Sequence, residues 1–293
     1  MIRMNAADDI KLSVAEIQRF CMHDGPGVRT TVFLKGCPMR CFWCHNPEMQ
    51  SAEKELLFFK NRCIGCRLCE QCGNGVHTFD KGHSINRALC VSCGECEKNC
   101  PASALQICGG DMSVDEIIRA VKKDAAFYGQ TGGVTLSGGE PFLQHGTVKL
   151  LKALKAEGIN TAVETCGYYD VTDAVPYTDL FLWDIKDTDG ARHKKNTGKS
   201  NESVLDNLFK ADMAGAKIRL RCILVNGVNT DEKHYRAVAE LIKKLHNCTG
   251  ADVLPYHAYG GSKAELTGRE DNGDKALIPT EEQVNRFRGI IKN

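Results

Sequence analysis

Gly36-Cys37-Pro38-Met39-Arg40-Cys41-Phe42-Trp43-Cys44-His45-Asn46-Pro47 sets three thiols in the spacing C-x3-C-x2-C. Glycine and proline let such a loop wrap back on itself. Three thiolates so close can hold three corners of a cubane iron–sulfur cluster, which normally takes four cysteines. The fourth iron is then open to a substrate, as an open position marks a catalytic rather than a structural zinc site. The competing reading is a zinc ion on Cys37, Cys41, Cys44 and His45. It is awkward, because His45 directly follows Cys44 and both side chains would have to reach one ion.

The rest of the chain decides which environment these thiols work in. Hydrophobic residues make up 42% and charged residues 26% of the 293 residues, which fits a soluble globular protein of one large or two unequal domains. The formal net charge of +1 leaves no chain-wide basic footprint for nucleic acid. No apolar run approaches the roughly 20 residues of a membrane span, and MIRMNAADDIKL lacks the apolar stretch of a secretory leader. A cytoplasmic, reducing location is therefore expected. In that setting sixteen cysteines indicate metal rather than disulfides, the more so because eleven of them fall between Cys37 and Cys100. Cys21, Cys108, Cys166, Cys222 and Cys248 are scattered and read as small buried hydrophobes.

Two further groups follow the first. Cys63-x2-Cys66-x2-Cys69-x2-Cys72 is one, and Cys90-x2-Cys93-x2-Cys96-x3-Cys100-Pro101 is the other. The latter fits the bacterial ferredoxin run, in which the fourth cysteine of each run ligates the other cluster. The implied sets are Cys63, Cys66, Cys69 with Cys100, and Cys90, Cys93, Cys96 with Cys72. The first run has two residues before Cys72 rather than three, and Gly73 in place of proline, so Cys72 departs furthest from the pattern. A zinc ribbon on Cys63, Cys66, Cys90 and Cys93 would leave four well-spaced cysteines without a role. Residues 60–109 are thus expected to form a ferredoxin-like insertion with two [4Fe–4S] clusters, dividing a larger domain into 1–59 and 110–293. An electron relay is its expected role.

That larger domain reads as α/β. Residues 14–20 and 28–35 read as strands joined by the turn HDGPG. Ser113 and Glu116 form a capping-box pattern for a helix reaching about Phe127. Strands are expected at 133–139, 160–165, 180–186, 217–225 and 251–257, and helices at 142–157, 201–214, 231–246 and 280–291. Strands alternating with helices imply a parallel sheet curved into a full or partial barrel, with chemistry at the C-terminal strand ends. Three motifs and two single residues are placed there. They are Ser137-Gly138-Gly139-Glu140-Pro141, Glu164-Thr165, Asp184-Ile185-Lys186, and Arg221 and His257. The glycines allow a ligand close to the backbone, Glu140 offers a carboxylate to an ammonium group, and Asp184 and Lys186 point the same way.

C-x3-C-x-aromatic-C, followed by GGEP, DIK and LPYH in that order, resembles the radical S-adenosylmethionine (SAM) superfamily. The resemblance implies a partial (β/α)6 barrel. It also implies that the open iron on Cys37, Cys41 and Cys44 is chelated by the amino and carboxylate groups of SAM. Trp43 then packs near the adenine, and Gly138, Gly139, Glu140, Glu164, Asp184, Lys186, Arg221 and His257 surround SAM. Glu164 and Thr165 match a pair that helps hold a cation beside SAM in a related activase, but Glu stands here for Asp. The stretch from Gln18 to Cys37 resembles the activating enzymes of glycyl radical enzymes, with Cys21 where most have serine. It implies that Asp24, Gly25, Pro26, Gly27 and Arg29 bind the partner's glycine loop. The implied reaction is one-electron cleavage of SAM to methionine and a 5′-deoxyadenosyl radical. That radical takes a hydrogen atom from a backbone glycine and leaves a stored glycyl radical. A ferredoxin insertion implies a partner of dehydratase or lyase type, and a low-potential donor such as flavodoxin or ferredoxin. A radical SAM enzyme acting on a small molecule or another protein, and a ferredoxin-like electron carrier, are the alternatives.

Overall fold

A computed structural model describes residues 10–73, 75–270 and 273–292. Residues 1–9, on which part of the leader reading rests, lie outside the described residues. Twelve strands are present among them. They are β1 (Lys11–Cys21), β2 (Arg29–Leu34), β3 (Glu55–Phe58), β4 (His77–Thr78), β5 (Ser84–Ile85), β6 (Leu105–Cys108), β7 (Gly110–Ser113), β8 (Gly133–Gly138), β9 (Thr161–Thr165), β10 (Leu180–Ile185), β11 (Ile218–Leu224) and β12 (Cys248–Pro255). The helices are α1 (Glu95–Lys98), α2 (Val114–Lys122), α3 (Thr147–Ala156), α4 (Gly190–Thr197), α5 (Glu202–Met213), α6 (Glu232–Lys244), α7 (Tyr259–Leu266) and α8 (Glu281–Lys292).

Eight strands form one sheet in the order β12-β11-β10-β9-β8-β2-β1-β7. The six strands from β2 to β12 in this row are parallel and lie side by side in chain order. β1 and β7 add an antiparallel edge. Sequence alternation explains the two faces of the sheet. Val134 and Leu136, Phe181 and Trp183, and Leu220 and Cys222 join the main core with residues of α2, α3, α5, α6 and α8. The intervening Ser137, Glu164, Asp184 and Arg221 turn to the other face, where they line a cavity. That cavity is lined from β1 through β12, so the sheet is concave toward it.

Local deviations have identifiable causes. The Ser113–Glu116 capping box forms, with Glu116 N donating to Ser113 Oγ at 3.2 Å and Ser113 N to Glu116 Oε2 at 2.8 Å. The helix nevertheless stops at Lys122 rather than near Phe127. Buried Asp124 is drawn away by Arg19 Nε and Thr30 Oγ1, which donate to it at 2.7 and 2.8 Å. The helix expected over 142–157 begins only at Thr147. Gln144 is held out of it, accepting from Ser13 N at 2.8 Å and donating to Lys35 O at 2.8 Å. Helices α4 and α7 and strand β7 have no counterpart among the expected elements, the last because GDMS has no strand-like apolar alternation.

The cysteine-rich segment packs as a satellite. β3 pairs antiparallel with β6, so its framework begins at Glu55, ahead of residue 60. It has its own small core of Leu56, Phe58, Leu105 and the cysteines.

Candidate active site

The thiol loop leaves β2 and is clamped by backbone. Gly36 N donates to Met49 O at 2.8 Å and Cys37 N to Gln50 O at 3.0 Å. The GGE loop closes over it, with Gly139 N donating to Leu34 O at 2.9 Å and Glu140 N to Gly36 O at 2.8 Å. A Cβ on Gly139 would lie closer than 3.0 Å to Gly36 O, so only glycine admits this contact. Gly139→Ala is therefore expected to disrupt the thiol loop, read as a fall in iron bound after reconstitution while helix content is kept. From the far side, Gly260 at the start of α7 seats against Cys44 O in the same way.

Cys37, Cys41, Trp43 and Cys44 line a cavity of about 600 Å³, a volume that suits a cosubstrate-sized ligand. Ser137, Gly138, Gly139, Glu164, Asp184, Lys186, Arg221 and His257 line it from the strand ends, and Asp24 from the turn. Among the described residues, no three of Cys37, Cys41, Cys44 and His45 bring their ligand atoms within 4.8 Å of one another. One tetrahedral ion needs sulfurs about 3.8 Å apart, closer than this loop holds them. His45 instead packs edge-on against His257 at 4.2 Å, and burial lowers it to about 4.

The charged groups form a chain. Glu164 pairs with Arg221, whose Nε lies 3.8 Å from Asp184 Oδ1, and Lys186 Nζ donates to Asp184 Oδ2 at 3.1 Å. Burial raises Glu164 above the usual carboxylate range, against the pull of Arg221. Burial works against the Lys186 ammonium, but Asp184 with the thiols of Cys41 and Cys166 outweighs it and holds the group above the ordinary lysine range. Asp184 Oδ1 is buried and has no hydrogen-bond partner among the described residues.

Two expected contacts are placed elsewhere. Glu140 is fully buried and is not among the cavity-lining residues. Its carboxylate accepts from Thr165 Oγ1 at 2.9 Å, Cys166 N at 2.7 Å and Phe142 N at 3.1 Å. It braces the end of β9. Arg29 is also wholly buried, so it does not face a partner. It ties the 23–27 turn to β8 and to Asn160 just ahead of β9, while Asp24 is held by Thr31 Oγ1 at 2.7 Å and Thr135 Oγ1 at 2.6 Å. Pro26 and Gly27 remain exposed, with Gly25 half-buried. Cys166, read as filler, proves to be a neighbour of the thiol loop. Its hydrogen bond to Cys37 is the main reason the Cys37 thiol sits below its ordinary value, whereas burial pushes Cys41 up to about 12. Its position just after Glu164-Thr165, at a strand end, was the available signal.

The auxiliary cysteines gather in two places. Cys63, Cys66, Cys69 and Cys100 line one small pocket, and Cys72, Cys90, Cys93 and Cys96 another. The two runs share a backbone pattern. Left-handed residues occur at Gly65 and Arg67 in the first and at Ser92 and Gly94 in the second. A short 3-10 turn precedes each run, over Lys60–Arg62 and Arg87–Leu89.

Comparisons with known proteins decide the family. The Radical SAM superfamily model matches residues 31–242. The isethionate sulfite-lyase activating enzyme of Nitratidesulfovibrio vulgaris is 41% identical, covering 94% of this chain and 93% of that one. The choline trimethylamine-lyase activating enzyme of Oleidesulfovibrio alaskensis is 42% identical over 89% and 88%. The trans-4-hydroxy-L-proline dehydratase activating enzyme of Clostridioides difficile is 35% identical over 95% of each. The chain belongs to the glycyl radical enzyme activating enzymes of the radical SAM superfamily. As such it uses SAM to generate a radical on a partner glycyl radical enzyme. Streptococcus suis SuiB bound to the precursor peptide SuiA shares the fold alone, with a TM-score of 0.53 and 10% identity over 87% of this chain and 43% of that one. Among the described residues, no helix is long and apolar enough to cross a membrane.

Proposed function

We propose that this cavity is where the activase brings SAM and the glycine loop of a dehydratase- or lyase-type partner together. The observation that carries the reading is that three thiols of one loop share a single cavity with the polar strand ends and with Asp24 of the 23–27 turn. A [4Fe–4S] cluster on Cys37, Cys41 and Cys44, with SAM bound, supplies the one-electron cleavage that yields the hydrogen-abstracting 5′-deoxyadenosyl radical. This chain's residues do the rest. Asp184, whose Oδ1 has no hydrogen-bond partner among the described residues, accepts from a ligand hydroxyl, and Lys186 offers its ammonium to a carboxylate. Trp43, packed edge-on against Phe42 at 4.8 Å, walls the cavity with apolar surface. Arg221 balances Glu164 from inside the protein, which leaves that carboxylate without need of a bound cation. Asp24 and the exposed Pro26 and Gly27 meet the partner's glycine loop, with Arg29 holding their turn in place from behind.

The eight remaining cysteines hold two ferredoxin-type [4Fe–4S] clusters in the insertion, making three in all. The two four-thiol pockets and the repeated left-handed loop backbone support this. They relay electrons from a low-potential donor such as flavodoxin or ferredoxin, in the reducing cytoplasm where such thiols persist. The test is anaerobic incubation of reduced protein with SAM and a candidate partner. The expected result is 5′-deoxyadenosine together with a glycyl-radical EPR signal on the partner. SAM cleavage with no such signal on any partner of this type would move the substrate to another class. Variants lacking the insertion cysteines are expected to lose turnover with the protein donor, and full turnover would remove the relay.

A further inference from the structure

The hairpin of β4 and β5 sets two histidines beside the first auxiliary pocket. β4 and β5 pair through His77 with Ile85 and Thr78 with Ser84, which brings His77 and His83 together. The His83 ring is clamped between Phe79, stacked at 4.5 Å, and Phe58 at 4.4 Å. One nitrogen, Nδ1, lies 3.3 Å from Cys63 Sγ. The other, Nε2, lies 2.9 Å from His77 Nδ1 and 3.7 Å from Cys69 Sγ. His77 is buried, and its Nε2 has no partner among the described residues.

Counting protons selects one arrangement. A neutral imidazole has one N–H and one bare nitrogen. If His77 Nδ1–H donates to His83 Nε2, then His83 Nδ1–H is left to donate to Cys63, and the orphaned His77 Nε2 is bare. The reverse arrangement strands an N–H at His77 Nε2 and turns a bare nitrogen toward a thiolate. A buried donor without a partner is the costlier fault.

We infer that His83 is a positioning residue for the auxiliary cluster on Cys63, Cys66, Cys69 and Cys100, its Nδ1–H donating to the Cys63 sulfur and raising that cluster's reduction potential, with His77 fixing its tautomer. This rests on the reading of those four cysteines as cluster ligands. A hydrogen bond to a ligand sulfur offsets the extra negative charge of the reduced cluster, so it favours reduction. The two phenyl rings hold the imidazole plane and so the direction of the bond. The same atoms admit a rival, since the ligand atoms of Cys69, His77 and His83 lie within 4.8 Å of one another and suit a single ion.

The experiment is an EPR-monitored redox titration of the full chain, native and His83→Phe, with iron and zinc counted in each. Phenylalanine keeps the stack and removes the N–H. The cluster on Cys37, Cys41 and Cys44 is recognised by its response to SAM. Of the two other couples, one is expected to move to lower potential. Its reduced-to-oxidised ratio at fixed ambient potential should fall about tenfold, or 59 mV for a one-electron couple. If His83→Phe loses iron, His77→Phe carries the test, with a smaller shift of the same sign because His83 is free to change tautomer. Unmoved couples at full iron content overturn the inference and leave the relay reading intact. Native protein with zinc in place of this cluster's iron overturns both.

Discussion

Changing Cys37, Cys41 and Cys44 together to alanine is expected to abolish 5′-deoxyadenosine formation from SAM in reduced, reconstituted protein. On the three-cluster reading proposed above, bound iron should fall by about four per chain from about twelve, the other eight thiols holding their own clusters. The physical reason is that the proposed open iron would deliver its electron directly to SAM, and its three candidate ligands come from one loop. The insertion should survive the change. Its cysteines pack with Leu56, Phe58 and Leu105 in their own core, whereas Cys37 and Cys41 pack with Met39, Cys166 and Val204. A single Cys166→Ala change should leave the iron count intact, since Cys166 neighbours Cys37 without belonging to the loop. The measurement is chromatographic quantitation of 5′-deoxyadenosine alongside iron and sulfide assays. Cleavage persisting in the triple variant would sink the assignment of these three thiols, whereas cleavage in neither protein, with iron and sulfide bound, would favour the electron-carrier reading.

Arg29→Ala is expected to destabilise the protein by about 3–5 kcal/mol through loss of a buried hydrogen-bond network. Arg29 Nε donates to Thr135 Oγ1 at 2.6 Å, and Nη2 to Val134 O at 2.8 Å and Asn160 O at 3.3 Å. Nη1 donates to Pro26 O at 3.1 Å, Thr131 O at 3.3 Å and Asn160 Oδ1 at 3.1 Å. Alanine leaves these oxygens without their donor, and the turn that carries Asp24 loses its tie to β8 and Asn160. Burial lowers the guanidinium to about 10, so it stays charged at neutral pH and its loss also removes a buried cation. Lysine should rescue little, because one ammonium cannot reach acceptors spread around a planar fork. Denaturant midpoints of the reconstituted proteins measure the effect. A variant as stable as native but deficient only in partner activation would restore the partner-contact role that its burial argues against.

The thiol loop and Arg29 mark the boundary between what local sequence carries and what it does not. Thiol spacing is covalent, so the loop Cys37–Cys44 and the two auxiliary runs were legible before any fold was known. The pairing of Cys100 with the first run and Cys72 with the second also matches the two pockets they line. Strand and helix periodicity gave the parallel sheet, and strand-end position gave Asp184, Lys186, Glu164 and Arg221. Each of these follows from near neighbours along the chain.

What only the tertiary structure decided is which polar groups are already satisfied. Glu140 and Arg29 carry the right chemistry for a ligand or a partner, but Thr165, Cys166 and the carbonyls of distant strands reach them first. Gln144 leaves its helix for the same reason. The concave sheet delivers Cys166 to Cys37 and Gly260 to Cys44, and a two-strand hairpin delivers His83 to Cys63. Sequence determines which groups are available to bond. Burial forces each of them to find a partner, and which partner it finds depends on contacts between residues far apart in the chain.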